Sequence, residues 1–249
     1  MTAFWAIYRR EMLGLWVTPL AWVLWVVFLL LEGGIFYSIV IHFTTLPEIS
    51  VDSGPLQAFF GQESILLLLT LILLCPALSM RLFAEERARG TIEPLLTAPV
   101  SATSVVLGKY LAVLSTYVGM WLPTLLYVLI LRRAGSVDPR VVASSYAGLF
   151  GVGAAYLAIG TLMSTLTKSQ LVALLLTLLF VFGMFVMGIG EYVFAEGLFH
   201  DLCAHVSVAA QMEEFSRGIV ESRRVVFDAS IVALCLFLSV RVVDSWRWG

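Results

Sequence analysis

Hydrophobic positions along the chain form long runs that are separated by short polar segments. Six of these runs contain almost no charged residue. A helix of about twenty apolar residues crosses a hydrocarbon layer roughly 30 Å thick, and it satisfies its own backbone hydrogen bonds there. The pattern therefore predicts six transmembrane helices, at Leu20–Ile41, Ile65–Phe83, Val105–Leu131, Val142–Leu166, Leu171–Phe194 and Val225–Val243.

Two further segments have the pattern of helices that lie at a membrane surface. In residues 1–18, aromatic and apolar side chains recur at spacings of three and four, with Arg9, Arg10 and Glu11 between them. This pattern predicts an interfacial helix with its rings in the bilayer and its charges toward lipid phosphates. Residues 195–224 are too polar to span and too long for a simple turn, so we expect one or two short helices at the outer interface.

The polar segment between the second and third runs, EERARGTIEPLLTAP from Glu85 to Pro99, places five charged residues within fifteen positions, between two runs that are nearly free of charge. Gly90 can end the helix that leaves the second span, and Thr91 can cap a new one. Glu93 then lies in the first turn, where an acidic side chain favourably meets the helix dipole. The sequence predicts a short helix within residues 84–100.

The same segment combines an apolar spot with charges of both signs. Leu95 and Leu96 supply the apolar spot, while Glu85, Glu86 and Arg87 supply charge. Such a combination is suited to a groove on a soluble protein. The alternative is a solvated loop, but a tendency toward basic residues alone does not account for three glutamates. We therefore interpret the segment as a docking surface for a partner.

Composition agrees with a membrane protein. Hydrophobic residues make up 60% of the chain and charged residues 13%, whereas about a quarter of the residues of a soluble domain are charged. We expect an all-α integral membrane protein in which residues 1–249 form a single transmembrane domain. The net charge of −2 argues against a nucleic-acid partner, which would demand concentrated Lys and Arg.

Basic residues indicate the orientation of the spans. With the amino terminus inside, nine Lys and Arg lie on the cytoplasmic side and six on the other side. The first outside loop, residues 42–62, contains no basic residue, and the first loops usually dominate the orientation. We expect both termini and residues 84–100 to be cytoplasmic.

One acidic residue lies near the middle of a predicted span. Glu32 costs on the order of 3 kcal/mol at mid-membrane on insertion scales, so it must face protein or water. It could contact substrate or protons on a translocation path, or its carboxyl group could hold helices together. Gly33 and Gly34 beside it would allow another helix to approach.

Other polar and helix-breaking residues have simpler interpretations. Pro76 and Pro123 predict bends in the second and third spans. Ala147, Gly151 and Ala155 repeat every fourth residue, a spacing that predicts close helix packing. A last group of residues has the side chains of a metal site: His200, Asp201, Cys203 and His205. On a helix, His200 would pair with Cys203 and Asp201 with His205, and the two pairs would point in different directions. We therefore expect no metal site.

Four sequence blocks resemble permease subunits of the type-2 ABC exporter class, especially those related to gliding-motility and nitrous-oxide-reductase-maturation permeases. The blocks are RREMLGLWVTPLAWV, FAEERARGTIEPLLTAPVS followed by Gly108 and Lys109, LAIGTLMSTLTKSQLVAL, and EEFSRGIVESRRVVFDASIVALCLFLSVRVVDSWRW. The resemblance implies a bacterial inner-membrane permease. It implies that the second block is the coupling helix that contacts an ATPase, at Glu85, Glu86, Arg87, Gly90, Thr91, Glu93, Leu95, Leu96 and Pro99.

The resemblance also implies partners. No G-x-x-x-x-G-K-[ST] motif occurs, so the chain has no P-loop of its own, and we expect it not to be an enzyme. ATP and magnesium would be bound by a separate nucleotide-binding subunit. A second permease, identical or homologous, and a partner with a periplasmic domain are also expected. The rival hypothesis is a proton-coupled secondary transporter that uses Glu32.

Overall fold

The computed structural model describes residues 3–45, 54–61, 65–91, 100–134, 137–194 and 197–246. Within these ranges the chain is almost entirely helical and contains no strand. The helices in chain order are α1 Ala3–Val17, α2 Pro19–Thr45, α3 Pro55–Phe60, α4 Ile65–Ser79, α5 Ala84–Ala88, α6 Ala102–Trp121, α7 Leu125–Ala134, α8 Pro139–Leu166, α9 Gln170–Val193, α10 Leu198–Val206, α11 Val208–Ser216 and α12 Ser222–Ser245.

Six helical stretches are long and apolar enough to cross a membrane, which confirms the predicted fold class. They are Ala21–Thr45, Ile65–Ala88, Ala102–Arg133, Pro139–Leu166, Gln170–Val193 and Ser222–Ser245. Successive spans run in opposite directions. One end of the bundle carries α1, α5 and the last turn of α12, and we call it the α5 end. The end of α12 is placed there by the Trp246 ring, which lies 6.1 Å from the Phe83 ring next to α5.

The third span is not one continuous helix. A 3₁₀ turn at Leu122–Thr124 separates α6 from α7. Pro123 lies within this turn, where it has no backbone N–H to donate and its ring disfavours a continued α-helix. The bend expected at Pro123 is therefore present as a change of helix type. By contrast, α4 remains helical on both sides of Pro76.

Helix α8 forms the centre of the bundle, because it packs against α4, α6, α9, α11 and α12. Small residues make this possible. A Cβ at Gly151 would lie 2.8 Å from Oδ2 of Asp228 on α12, and Ala155 is buried, so the predicted close packing is confirmed at both positions. Ala147 instead faces outward.

The end of the bundle opposite α5 carries α3, α10 and α11. Of the one or two short helices expected in residues 195–224, two are present, α10 and α11. Helix α11 packs into the bundle against α3 and α8, with Met212 and Phe215 buried. Arg224 at the start of α12 secures this end. Its guanidinium donates to both carboxylate oxygens of Glu214, at 2.9 and 3.1 Å, and to the carbonyl oxygen of Ala204 at 2.7 Å.

Helix α3 was not expected from the sequence. It begins with Pro55, a residue that suits the first helical turn, and the side-chain oxygen of Gln57 accepts from the backbone N–H of Gly54 at 3.0 Å. Phe59 and Phe60 are buried in the bundle. Six residues are too few to produce a periodic pattern that identifies a helix from sequence.

Candidate coupling surface

The charged segment after the second span begins as predicted. Helix α5 ends at Ala88, and Gly90 has a φ of +71°. That left-handed conformation is readily adopted by glycine, so Gly90 breaks the helix as the sequence indicated. Residues 92–99 lie outside the described part of the chain, and with them Glu93, Leu95, Leu96 and Pro99 of the predicted coupling helix.

The last turn of α8 holds α5 in place. Ser164 Oγ accepts from the backbone N–H groups of Phe83 and Ala84, at 3.0 and 3.1 Å. These N–H groups start a helix and have no partner within it, so a side-chain acceptor stabilises the helix end. The amino-terminal end of the charged segment is thus attached to the last turn of the fourth span.

Arg87 makes a second connection to the same region. Its Nη1 donates to the carbonyl oxygen of Thr165 at 2.8 Å, where a cation also interacts favourably with the negative end of the α8 dipole. The guanidinium carbon lies 4.5 Å from the centre of the Trp246 ring, a distance typical of a cation–π contact. Arg87 therefore connects α5 with the ends of both α8 and α12.

Glu86 belongs to a four-residue ionic network that joins three elements. Its Oε1 lies 2.9 Å from Nη2 of Arg10 and 3.1 Å from Nζ of Lys109. Oε1 of Glu11 lies 2.7 Å from the same Arg10 nitrogen and 3.1 Å from the same Lys109 nitrogen. Two carboxylates and two cations thus alternate between α1, α5 and α6. We call these four residues the α1–α5–α6 network.

Lys109 is the centre of the network. Its side chain is 1% exposed, and its Nζ lies 5.2 Å from the centre of the Phe83 ring. A buried ammonium group is costly unless it is paired, and here two carboxylates and an aromatic face surround it. The Lys109 side of the network is therefore buried, unlike the exposed ion pairs that contribute little, whereas the Arg10 side chain is 54% exposed.

The network changes the pKa values of its α1 members. Burial alone would raise the pKa of Glu11, but the charges of Lys109 and Arg10 and their hydrogen bonds outweigh it, so the pKa lies below its ordinary value. Burial alone would lower the pKa of Arg10, yet Glu11 and Glu86 raise it above its ordinary value. Both groups are therefore held in their charged forms.

Helix α1 also packs on α6 directly. The Tyr8 hydroxyl donates to Oγ of Ser115 at 3.0 Å. A Cβ at Gly108 would lie 3.0 Å from Cγ2 of Ile7, which shows how closely the two helices approach. A helix is present where the sequence predicts one, and its inner face lies on the third span; its place at the membrane interface stays a prediction.

A second ion-pair group lies beside the network. Oε2 of Glu85 accepts from Nε of Arg81 at 2.9 Å, and its Oε1 lies 2.7 Å from Nη2 of Arg89. Between this group and α1 is an open cavity of about 330 Å³, and its wall includes Thr18 and Thr91. The Arg89 side chain is 70% exposed, so its remaining donors are free to meet a partner.

Lys109 and Glu11 are the functional candidates that sequence reasoning missed. Both are far from Glu86 in the sequence, and ion pairs between distant segments leave no periodic signal. One clue was present: the chain contains only two lysines, and Lys109 lies inside the apolar third run. A lone lysine in a span requires a partner, and Lys109 has two, Glu11 and Glu86.

Glu32 faces the interior of the bundle. Most of α2 faces outward, but Phe28, Glu32 and Phe36, spaced four residues apart, are buried. The Glu32 side chain is fully buried, and neither carboxyl oxygen has a hydrogen-bond partner among the described residues. Proton exchange at Glu32 would therefore require the helices around it to move apart.

The group of metal-type residues on α10 is dispersed. His200 contacts Asp201 at 3.5 Å, Cys203 is buried, and the His205 ring packs edge-on against Phe227. Within the described ranges, no three His, Cys, Asp or Glu side chains come close enough together to hold a metal ion.

Comparison with known proteins agrees with this architecture. Residues 5–201 match the family model described as ABC-2 family transporter protein. No curated protein matches the chain. The matched region includes α1, α5 and all spans except the last, and so contains the whole α1–α5–α6 network. The chain therefore belongs to the ABC-2 transporter family and is a multi-pass membrane permease subunit of the ABC class.

Proposed function

We propose that this permease couples ATP hydrolysis by a separate nucleotide-binding subunit to movement of its spans, with residues 84–100 as the contact. The supporting observation is the α1–α5–α6 network. It ties the start of the charged segment to the interfacial helix and to the third span. A force applied to residues 84–100 is thereby passed to several helices at once.

Two sets of contacts would transmit this force. Ser164 and Arg87 join α5 to α8 and α12, and Lys109 joins it to α1 and α6. Closure of two ATPase subunits around ATP would displace α5, and these helices would follow as a unit. Such rigid-body rocking alternates inward-open and outward-open arrangements.

We propose that the α5 end is cytoplasmic and that the membrane is the bacterial inner membrane. Nine Lys and Arg fall on that side, and six on the other, as the positive-inside tendency requires. The ATPase, with ATP and magnesium, would then meet Arg10 and Arg89, whose side chains are 54% and 70% exposed. Acidic side chains on the ATPase would complement them.

The complete transporter would contain two permeases and two ATPase subunits. The second permease is another copy of this chain or a homologous one. The likeness to gliding-motility permeases supports either export of material or transmission of force to a partner with a periplasmic domain. Membrane lipid surrounds the spans, and nucleic acid has no role.

The alternative is a proton-coupled secondary transporter that uses Glu32. An unpaired buried carboxyl group is the observation in its favour. That hypothesis assigns no function to residues 84–100 and requires no ATPase, so the same experiment distinguishes the two.

Affinity purification of the tagged permease from its native membrane tests the proposal. We expect a P-loop ATPase to co-purify. Replacing Leu95 and Leu96 together with aspartate should remove most of this ATPase, because the apolar spot would become charged. The matched control replaces Leu198 and Leu202, which are exposed at the opposite end, and should keep the ATPase bound.

Two outcomes would contradict the proposal. One is a permease that transports substrate with no ATPase attached. The other is an ATPase that is retained after both leucines of the segment become aspartates.

A further inference from the structure

A second cavity, of about 280 Å³, lies where the third span changes helix type. The lining side chains that matter are Val118, Leu122 and Leu125 from the third span and Val142, Tyr146 and Phe150 from α8. The 3₁₀ turn at Leu122–Thr124 separates α6 from α7, and the cavity lies beside this turn, because Leu122 lines it.

The wall of this cavity is mostly apolar. Besides these six residues it includes Ala143 and Trp121, whose buried Nε1 has no hydrogen-bond partner among the described residues. Of the six residues named above, one has a polar side-chain atom. Five of the side chains are hydrocarbon only. The sixth, Tyr146, shares a hydrogen bond of 2.7 Å between its hydroxyl and Oγ1 of Thr124. Leu122 and Leu125 are 57% and 41% exposed on a span that crosses the membrane, so the cavity opens toward lipid. Such a wall favours a hydrocarbon chain as the ligand.

Unpaired positive charge lies at the adjoining ends of α7 and α8, two of the helices that line the cavity. Arg132 and Arg133 occupy the last turn of α7, and Arg140 lies in the first turn of α8, where Asp138 accepts from its backbone N–H. All three side chains are exposed and have no ion-pair partner among the described residues. The three arginines thus form an anion-attracting rim, which we call the arginine rim.

The other basic side chains at this end differ from the arginine rim. Arg217 pairs with Glu213 at 2.7 Å, Arg224 pairs with Glu214 at 2.9 Å, and Arg223 lies 3.9 Å from a Glu221 oxygen. The arginine rim is therefore the place at this end where guanidinium groups remain free for an anion from outside the chain.

The spacing between rim and cavity suits a phospholipid. Seven residues separate Leu125 from Arg132, which corresponds to about 10 Å along a helix. A lipid phosphate held at the rim would place the upper part of an acyl chain at the depth of the cavity. Guanidinium groups are suited to phosphate because their donors bind it in a bidentate manner.

We propose that an anionic phospholipid binds at this site, with its phosphate at the arginine rim and one acyl chain in the cavity between α6, α7 and α8. The lipid would fill the gap that the 3₁₀ turn creates. It would belong to the leaflet at the end opposite α5. The site is separate from the coupling surface, so lipid binding can be measured on the permease alone.

Photo-cross-linking tests this site. The permease is reconstituted in nanodiscs that contain phosphatidylglycerol with a diazirine in one acyl chain, and labelled peptides are identified by mass spectrometry. We expect labelling concentrated on peptides that contain Leu122, Leu125 and Val142. An unlabelled phosphatidylglycerol should compete more strongly than phosphatidylcholine, whose choline group repels the rim.

Two matched pairs of variants separate the headgroup from the chain. Changing Arg132, Arg133 and Arg140 together to glutamine should reduce cavity labelling by about tenfold, since each basic residue near a membrane surface contributes to binding an anionic lipid. Changing Arg217 and Arg223 to glutamine should leave it unchanged. Ala143→Trp, which fills the cavity mouth, should abolish labelling there, whereas Ala229→Trp on the outward face of α12 should not.

Three results would overturn the inference. The first is labelling spread evenly over all lipid-facing helices, which indicates ordinary solvation by the bilayer. The second is cavity labelling that is unaffected by the arginine changes. The third is a stable dimer whose contact face excludes the probe from the cavity, because the occupant would then be a second copy of the chain.

Discussion

Replacing Lys109 with methionine is expected to destabilise the permease by about 2–3 kcal/mol and to lower its melting temperature by about 5 °C or more. The methionine keeps much of the packing but leaves Glu11 and Glu86 with only Arg10 between them. The penalty comes from two largely buried carboxylates, 16% and 20% exposed, that have lost one of their two cations. Thermal unfolding in nanodiscs, followed by tryptophan fluorescence, measures the change.

The control is the other lysine of the chain. Lys168 lies between α8 and α9 and is exposed, so Lys168→Met should leave the melting temperature unchanged. Adding Glu11→Gln to Lys109→Met should recover part of the lost stability, because one of the two uncompensated carboxylates is removed. A Lys109→Met protein as stable as the parent would contradict the central position given to this side chain.

Lys109→Met should also uncouple the helices that the network joins. With α6 released from α5 and α1, stimulation of the ATPase by the permease should fall even in protein that remains folded, although the Arg10–Glu86 pair still joins α1 to α5. Full stimulation in the folded variant would indicate that force reaches the spans by the α8 contacts alone.

Replacing Gly153 with leucine is expected to prevent recovery of folded permease. The ring of Tyr117 lies against Gly153 so closely that even a Cβ would overlap it. Tyr117 is fully buried, and its hydroxyl donates to the carbonyl oxygen of Leu149 at 3.0 Å, so the ring has no alternative position. Overpacking of a well-packed core typically costs about 1–3 kcal/mol, and leucine exceeds the available space by several atoms.

Gly183 provides the matched control for this substitution. It also lies inside a span, on α9, but a Cβ there would meet no atom within 4 Å. Gly183→Leu should therefore yield folded protein in normal amounts, as judged by size-exclusion chromatography. Folded Gly153→Leu protein with an unchanged melting temperature would show that α6 and α8 do not pack as described.

The transmembrane architecture was predictable because hydrophobic runs carry most of its information. The second predicted span began at Ile65, where α4 begins, and the first began within one residue of α2. The break at Pro123 was also readable, since proline cannot continue the backbone hydrogen bonding of a helix. These features depend on neighbouring residues in the sequence.

Contacts between distant segments were not predictable in the same way. The sequence indicated that Glu86 lies in a charged segment, but not that its carboxylate contacts Lys109 and Arg10. The same limit applied to Gly153. Only glycine fits at this position, because the Tyr117 ring on another helix occupies the space that a side chain would need. Periodicity reports which face of a helix is buried, and it does not identify what lies opposite.

The contacts of Glu86 and Arg87 change the interpretation of the coupling segment. Residue chemistry predicted that Glu86 and Arg87 face a partner, yet both make intramolecular contacts with α6, α8 and the end of α12. We therefore interpret these two residues as the attachment of the segment to the bundle. Docking by Thr91 and the residues that follow it stays a prediction.

The most direct test of the account is a cross-link from Thr91, which is exposed at the α5 end. Thr91→Cys is combined with the co-purified ATPase and a thiol-to-amine cross-linker; Cys75, Cys203 and Cys235 are buried and should react little. The account predicts a covalent adduct of permease and ATPase from Thr91→Cys, and none from Ser222→Cys at the opposite end. An ATP-hydrolysing complex that gives no adduct from Thr91→Cys, or a Thr91→Cys thiol labelled by an impermeant reagent from outside intact cells, would contradict it.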